Sequence, residues 1–291
     1  MRAPVEDLLD LLNLETLGDT SFRGHNPPVS GPMIYGGQAV AQALVAAQRT
    51  VDPGRAAHSL HAYFVLAGDP RAPISFEVEK IRDGKSFSTR RCVASQAGRA
   101  ILSLEASFHV AEEGFDHAAP APRGLADPET LETAEALAER FRHALPAVVA
   151  KRIARETALD IRVVEPDRYL LLNGAVEPRQ CIWFRARGPM SDDASAHRAV
   201  LAYFSDMSLI NTALIGHGRL IFEPAIQAAS LDHAVWFHRP FRADEWLLYE
   251  QESPTACGGR TLTRGQIFTQ DGRLVASVAQ EGLARLRSEA R

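Results

Sequence analysis

The sequence predicts an α+β protein made of two tandem copies of one unit, an antiparallel sheet wrapped around a central helix. Three observations carry this: an internal repeat, strand-like runs on either side of glycine turns in each copy, and one apolar helix ahead of each set of strands. Residues 89–103, TRRCVASQAGRAILS, align without a gap on residues 263–277, TRGQIFTQDGRLVAS. Thr89/Thr263, Arg90/Arg264, Gln96/Gln270, Gly98/Gly272, Arg99/Arg273 and Ser103/Ser277 are identical at one offset. Shared turn chemistry accounts for the glycines but not for the flanking Thr-Arg and Ser, so duplication is the stronger reading.

Each copy reads as a hairpin. Gln96-Ala97-Gly98-Arg99 and Gln270-Asp271-Gly272-Arg273 supply turn residues, the second with the strong Asp-Gly signal. Asp83-Gly84 marks a turn just upstream. Residues 100–110 then alternate, with Ala100, Leu102, Leu104, Ala106, Phe108 and Val110 on one face, as in a half-buried antiparallel strand. Ahead of the sheets, residues 37–49 form an Ala- and Gln-rich run with no breaker. Residues 197–214 are apolar almost all round, which predicts a continuous helix enclosed by other structure. The units are expected at 1–110 and 179–291, with a connector at 111–178. In that connector Asp127-Pro128-Glu129 is an N-cap followed by a first-turn proline, predicting an outer helix over 128–142.

Composition excludes several classes of function. The 291 residues are 46% hydrophobic and 23% charged with a net charge of −4, a globular composition without a basic nucleic-acid face or a polybasic anchor. No apolar stretch of membrane-spanning length is free of charge, and Glu6, Asp7 and Asp10 interrupt the N-terminal leucines, so neither a span nor a secretory signal is expected. Cys92, Cys181 and Cys257 are odd in number and far apart, which suits core-filling thiols better than disulfides or zinc. The final Ser-Glu-Ala-Arg is no organelle address, and the cytoplasm is the expected compartment. No cofactor or metal is called for.

Polar residues on apolar faces are the candidates for chemistry. At the repeat offset Gln280 stands where the first copy has Ala106, placing an amide on the core side of its strand. Burying an amide costs about 1–3 kcal/mol unless it is hydrogen-bonded, so a partner is required; a satisfied structural glutamine is the competing reading. Asp206 is the one charge in the stripe Ala199, Ala202, Tyr203, Asp206, Leu209, Ile210 and Ala213. A carboxylate there is either paired or poised, with a raised pKa, to take a proton. Ser230 opens the run SLDHAVWFHRPF; alone it reads as a turn hydroxyl. His233 and His238 in the same run read as packing or hydrogen-bonding groups, and strand alternation puts His233 on the face opposite Ser230. There is no Gly-x-Ser-x-Gly elbow, dinucleotide fingerprint or phosphate loop. Gly36-Gly37 before a helix allows close backbone approach, and the N–H groups of Gly37 and Gln38 there could receive a developing oxyanion.

These stretches together resemble the acyl-CoA thioesterase II (TesB-type) family. The carrying motifs are YGGQAVAQAL at 35–44, HSLHAYFVLAGD at 58–69, RDGKSFSTRRCVASQ at 82–96, SLDHAVWFHRPFRADEWLLYE at 230–250 and QDGRLVASVAQEGLAR at 270–285. The resemblance implies a double hotdog fold and hydrolysis of acyl-CoA to free CoA and a carboxylic acid. Its catalytic Asp, Ser or Thr, and Gln fall on Asp206, Ser230 and Gln280. It implies Asp206 as general base for a water that Ser230 and Gln280 orient, with an acyl-CoA as small-molecule partner and a homo-dimer or homo-tetramer by analogy. Two other readings compete. One is a hotdog acyl-CoA hydratase or dehydratase, whose kind places a histidine five residues after the aspartate, where this chain has Asn211. The other is a non-catalytic acyl-CoA-binding module.

Overall fold

The computed structural model describes residues 3–27, 32–143, 158–170 and 174–287. The first half contains α1 (Pro4–Leu12), β1 (Glu15–Thr16), β2 (Ser21–Gly24), α2 (Gly36–Gln48), β3 (Arg55–Phe64), β4 (Ile74–Asp83), β5 (Phe87–Gln96) and β6 (Arg99–Val110). After them come α3 (Ala134–Arg140), β7 (Leu159–Val163), α4 (Pro166–Tyr169), β8 (Arg179–Ala186), α5 (Ala194–Ser205) and α6 (Leu209–Ile215). The chain closes with β9 (Ile226–Ser230), β10 (Asp232–Phe237), β11 (Leu247–Cys257), β12 (Arg260–Thr269) and β13 (Leu274–Leu286).

All described strands join one antiparallel sheet in the order β1-β2-β4-β5-β6-β3-β10-β13-β12-β11-β8-β7, with β9 also paired to β13. Read outward from the β3–β10 joint, the two halves mirror each other: β3-β6-β5-β4-β2 on one side, β10-β13-β12-β11-β8 on the other. This is the arrangement the repeat demands. α2 lies against β3, β4, β5 and β6 and against α5. Being enclosed, it buries nearly its whole length, and its amides Gln38 and Gln42 find partners in Asn26 Oδ1 and Leu11 O. A single core spans both halves and includes Val40, Leu60, Leu104, Leu201 and Val278.

The two hairpins differ by one residue. Gln96 pairs with Arg99 around a two-residue turn, with Ala97 and Gly98 both at positive φ. In the second copy Thr269 N–H donates to Arg273 O across three residues, with Gly272 at φ +89°. The longer turn slides β12 one step along β13. Arg90 therefore pairs with Ala106, whereas Thr263, not Arg264, pairs with Gln280. Arg90 is buried and donates to Thr50 and Asp83; Arg264 is exposed and paired with Glu252. The gapless identities at 89/263 and 90/264 are thus not equivalent positions, while β6 and β13 keep the same alternation of buried and exposed residues.

Two helices depart from expectation. The outer helix over 128–142 is a short 3₁₀ turn, Pro128–Thr130, followed by α3, whose N-cap Thr133 accepts from Ala136 N–H. Leu131 interrupts it by packing against the cluster of Trp183, Trp246 and Leu248. The connector also adds an edge strand, since β7 pairs with β8. The helix expected over 197–214 is broken at 206–208 into α5 and α6, and Ser208 takes the left-handed conformation at φ +68°. A buried amide holds the break. Gln251 Nε2 donates to Met207 O (3.2 Å) and Ser208 Oγ (2.9 Å), and its Oε1 accepts from Thr212 Oγ1 (2.7 Å) and Gln180 Nε2 (2.8 Å).

Candidate active site

The break in the second helix delivers Asp206. It caps the C-terminus of α5, directed at the start of α2 in the other half of the chain. The glycines there are explained by contact. A Cβ on Gly36 would stand 2.6 Å from Asp206 Oδ2, and one on Gly37 would stand 2.2 Å from the carbonyl oxygen of Tyr203. Only glycine admits the end of α5 this closely. Tyr35 seals the junction by donating its hydroxyl to Tyr203 O (2.9 Å).

Asp206, Ser230 and Gln280 meet side chain to side chain. Ser230 Oγ donates to Asp206 Oδ1 at 3.1 Å, and Gln280 Nε2 donates to Ser230 Oγ at 3.0 Å. Asp206 keeps some accessible surface but is densely surrounded by protein. Burial raises its pKa from the ordinary 3.8 to about 6, against the lowering effect of hydrogen bonds from Ser230, Gln280 and the Gly37 backbone N–H. The group is ionised near neutrality yet held close to the proton affinity that a general base needs.

Gly37 N–H thus borders the carboxylate. Gln38 N–H donates instead to Tyr35 O (3.1 Å) in the first helical turn. The Gln38 side chain turns away to Asn26 Oδ1 (2.7 Å), tying α2 to the segment after β2.

His233 lies where strand alternation does not put it. Its Nδ1 is 2.6 Å from Gln280 Oε1 and its Nε2 is 2.8 Å from Ser205 Oγ, so it shares a partner with Ser230. The reason is a bulge. Ser230 pairs with Gly282 and Ala234 with Ala279, so four steps on one strand oppose three on the other. The extra residue at the passage from β9 to β10 reverses the facing of everything after it. His233 is fully buried, and desolvation lowers its pKa to about 4, leaving a neutral imidazole. The sequence carries no signal for Ser205, and the expectation that His233 faces away from Ser230 is overturned, because alternation miscounts until the bulge is known. Asn211, in α6, is buried and accepts from Ile221 N–H at 3.2 Å.

Comparison with known proteins gives one answer across the chain. Residues 154–283 match the family described as acyl-CoA thioesterase, and residues 25–109 match the acyl-CoA thioesterase N-terminal domain. The chain is 40% identical to human acyl-coenzyme A thioesterase 8, over 96% of this chain and 89% of that protein. It is 38% identical to acyl-CoA thioesterase 2 of Haemophilus influenzae, over 97% and 98%. Among solved structures, the acyl-CoA thioesterase II TesB2 of Mycobacterium marinum superposes with a TM-score of 0.79 at 42% identity, covering 98% of this chain and 99% of that one. A hot dog fold protein from Alicyclobacillus acidocaldarius, 18% identical with a TM-score of 0.73 over 96% and 98%, shares the fold. The architecture is a double hotdog. With both halves matched in order and the relatives covered nearly end to end, the chain belongs to the acyl-CoA thioesterase family.

Proposed function

We propose that the chain hydrolyses acyl-CoA to free CoA and a carboxylic acid by direct attack of water, with Asp206 as the general base. The observation that carries this is the hydrogen-bonded set of Asp206, Ser230 and Gln280, in which the one carboxylate is held near a pKa of about 6. Asp206 takes a proton from a water that Ser230 and Gln280 orient, and the resulting hydroxide equivalent adds to the thioester carbonyl. Collapse of the tetrahedral adduct expels CoA as thiolate, which takes up the proton that Asp206 accepted and so restores the carboxylate. When Asp206 becomes neutral, the Gly37 N–H loses its charged acceptor, which frees it to share the oxyanion. Gln38 N–H, the second amide considered for that role, would first have to leave Tyr35 O.

Ser230 acts by hydrogen bonding and not as a nucleophile. Its hydroxyl faces a carboxylate and an amide, and the nearby imidazole is committed to Gln280 and Ser205. A nucleophilic serine needs an adjacent base that can take its proton and return it to the leaving group. The hydratase reading lacks its histidine at Asn211, and the binding-module reading leaves the raised carboxylate without a purpose. We further infer a cytoplasmic homo-dimer or homo-tetramer; among the described residues no helix is long and apolar enough to cross a membrane. The test is release of CoA from a panel of acyl-CoAs of short to long chain, read with a thiol reagent. Absence of release across the panel, with binding intact, would leave the module reading; consumption of an enoyl-CoA with its thioester intact would leave the hydratase.

A further inference from the structure

We propose that His233 is a positioning residue for this reaction: by donating its Nδ1 proton to Gln280 it fixes which end of the amide faces Ser230, a role that rests on the reading of Asp206, Ser230 and Gln280 given above. An ionised carboxylate only accepts, so the single proton of Ser230 goes to Asp206 Oδ1, 3.1 Å away. Ser230 Oγ must then accept from its other neighbour, which places the Gln280 nitrogen, not its oxygen, at 3.0 Å. The amide is planar, so Oε1 points the opposite way, into His233 Nδ1 at 2.6 Å. Oε1 has no proton to give, and the hydrogen bond therefore requires the proton on Nδ1.

A neutral imidazole with Nδ1–H has a bare Nε2, which must accept. Ser205 Oγ stands 2.8 Å from it and can donate. The nearby Ala202 O, at 3.0 Å, is the alternative acceptor for that same proton. The result is one directed series of donors: Ser205 to His233, His233 to Gln280, Gln280 to Ser230, Ser230 to Asp206. Neutrality is enforced by complete burial, which pushes the imidazole pKa down to about 4. Without the histidine donor the amide could turn over and present Oε1 to Ser230. The serine proton would then be drawn away from Asp206, and the water would lose an ordered partner.

The tautomer of His233 and the kinetics of a set of variants test this. In wild-type enzyme labelled with ¹⁵N-histidine, NMR at neutral pH should show His233 as the neutral Nδ1–H tautomer; the Nε2–H tautomer or a charged ring overturns the proposal, and this readout needs no variant to fold. His233→Leu should lower kcat about tenfold with KM little changed, the scale of one lost hydrogen bond. His233→Asn, whose amide nitrogen can stand where Nδ1 does, should restore most of that loss. In a Gln280→Ala background His233→Leu should cost nothing further, because a residue acting only through Gln280 has nothing left to position. A full tenfold penalty in that background would mean a merely structural histidine and overturn the proposal. If instead Gln280→Ala alone turns over at the wild-type rate, the reading of the site itself fails, whatever the tautomer.

Discussion

Replacing Asp206 with asparagine should make the protein both slower and more stable. In the fold, burial raises the Asp206 pKa from 3.8 to about 6. Near neutral pH the ionised form is then destabilised by about 3 kcal/mol relative to the unfolded chain, at 1.36 kcal/mol per pKa unit. An amide removes that penalty. It also offers one acceptor oxygen where the carboxylate has two, so either Ser230 or the Gly37 N–H loses its partner, at about 1 kcal/mol. The net expectation is a gain of about 2 kcal/mol at pH 7.5, measured by denaturant unfolding. A carboxyl group whose folded pKa is raised contributes stability below its unfolded value and loses it as pH rises through the folded value. Wild type should therefore draw level with the variant, or pass it, as the pH falls from above 6 to below 3.8. Turnover should drop by about 10²–10⁴-fold, the usual contribution of a general base. An asparagine variant that is less stable than wild type at pH 7.5 would refute the burial argument, and one that turns over at wild-type rate would refute the role of Asp206.

Three further expectations follow from the same geometry. The wild-type kcat should fall on the acid side with an apparent pKa of about 6 and a limiting slope of tenfold per pH unit, read from loss of thioester absorbance; a flat profile to pH 5 would remove Asp206 as the titrating base. Ser230→Thr should stay active because it keeps the hydroxyl, Ser230→Ala should lose part of the rate, and no acyl ester should accumulate on Ser230 by mass spectrometry. Gly36→Ala should fold but turn over slowly, since its Cβ would meet the movable carboxylate of Asp206 at 2.6 Å. Gly37→Ala should be impaired in folding, since it meets the fixed carbonyl of Tyr203 at 2.2 Å; thermal melts of the pair separate the two effects.

The residues legible in the sequence were those that violated a pattern. Gln280 stood out because a repeat supplied Ala106 as its control, and Asp206 because it charged an apolar stripe. The break that aims Asp206 was not legible. A left-handed Ser208 has no local signature, and what holds it is Gln251, far along the chain, together with Thr212 and Gln180. His233 was hidden by the bulge before it, because alternation counts residues and an inserted residue inverts the count. The gapless repeat concealed the opposite case. An added turn residue at 270–272 shifted β12 against β13 while the letters stayed aligned, so Thr89 and Arg90 match partners in sequence that they do not match in space. Duplication was readable; the register within it was a matter of turn geometry.

The junction of α2 with α5 gives the two copies different kinds of intolerance to substitution. The second copy supplies Asp206, Ser230 and Gln280, where, on the proposed mechanism, identity of functional group should decide the outcome. The first copy has Ala106 in the place of Gln280 and brings Gly36 and Gly37 to the carboxylate, where the constraint is on volume alone. A saturation screen for turnover should therefore tolerate close isosteres poorly at 206 and 280, yet reject every added atom at 36 and 37 whatever its polarity. If Asp206 is the base as proposed, an active-site titration should count one site per polypeptide and not one per fold repeat. The older symmetry survives in the backbone, while the demands on the two halves have separated into chemistry on one side and shape on the other.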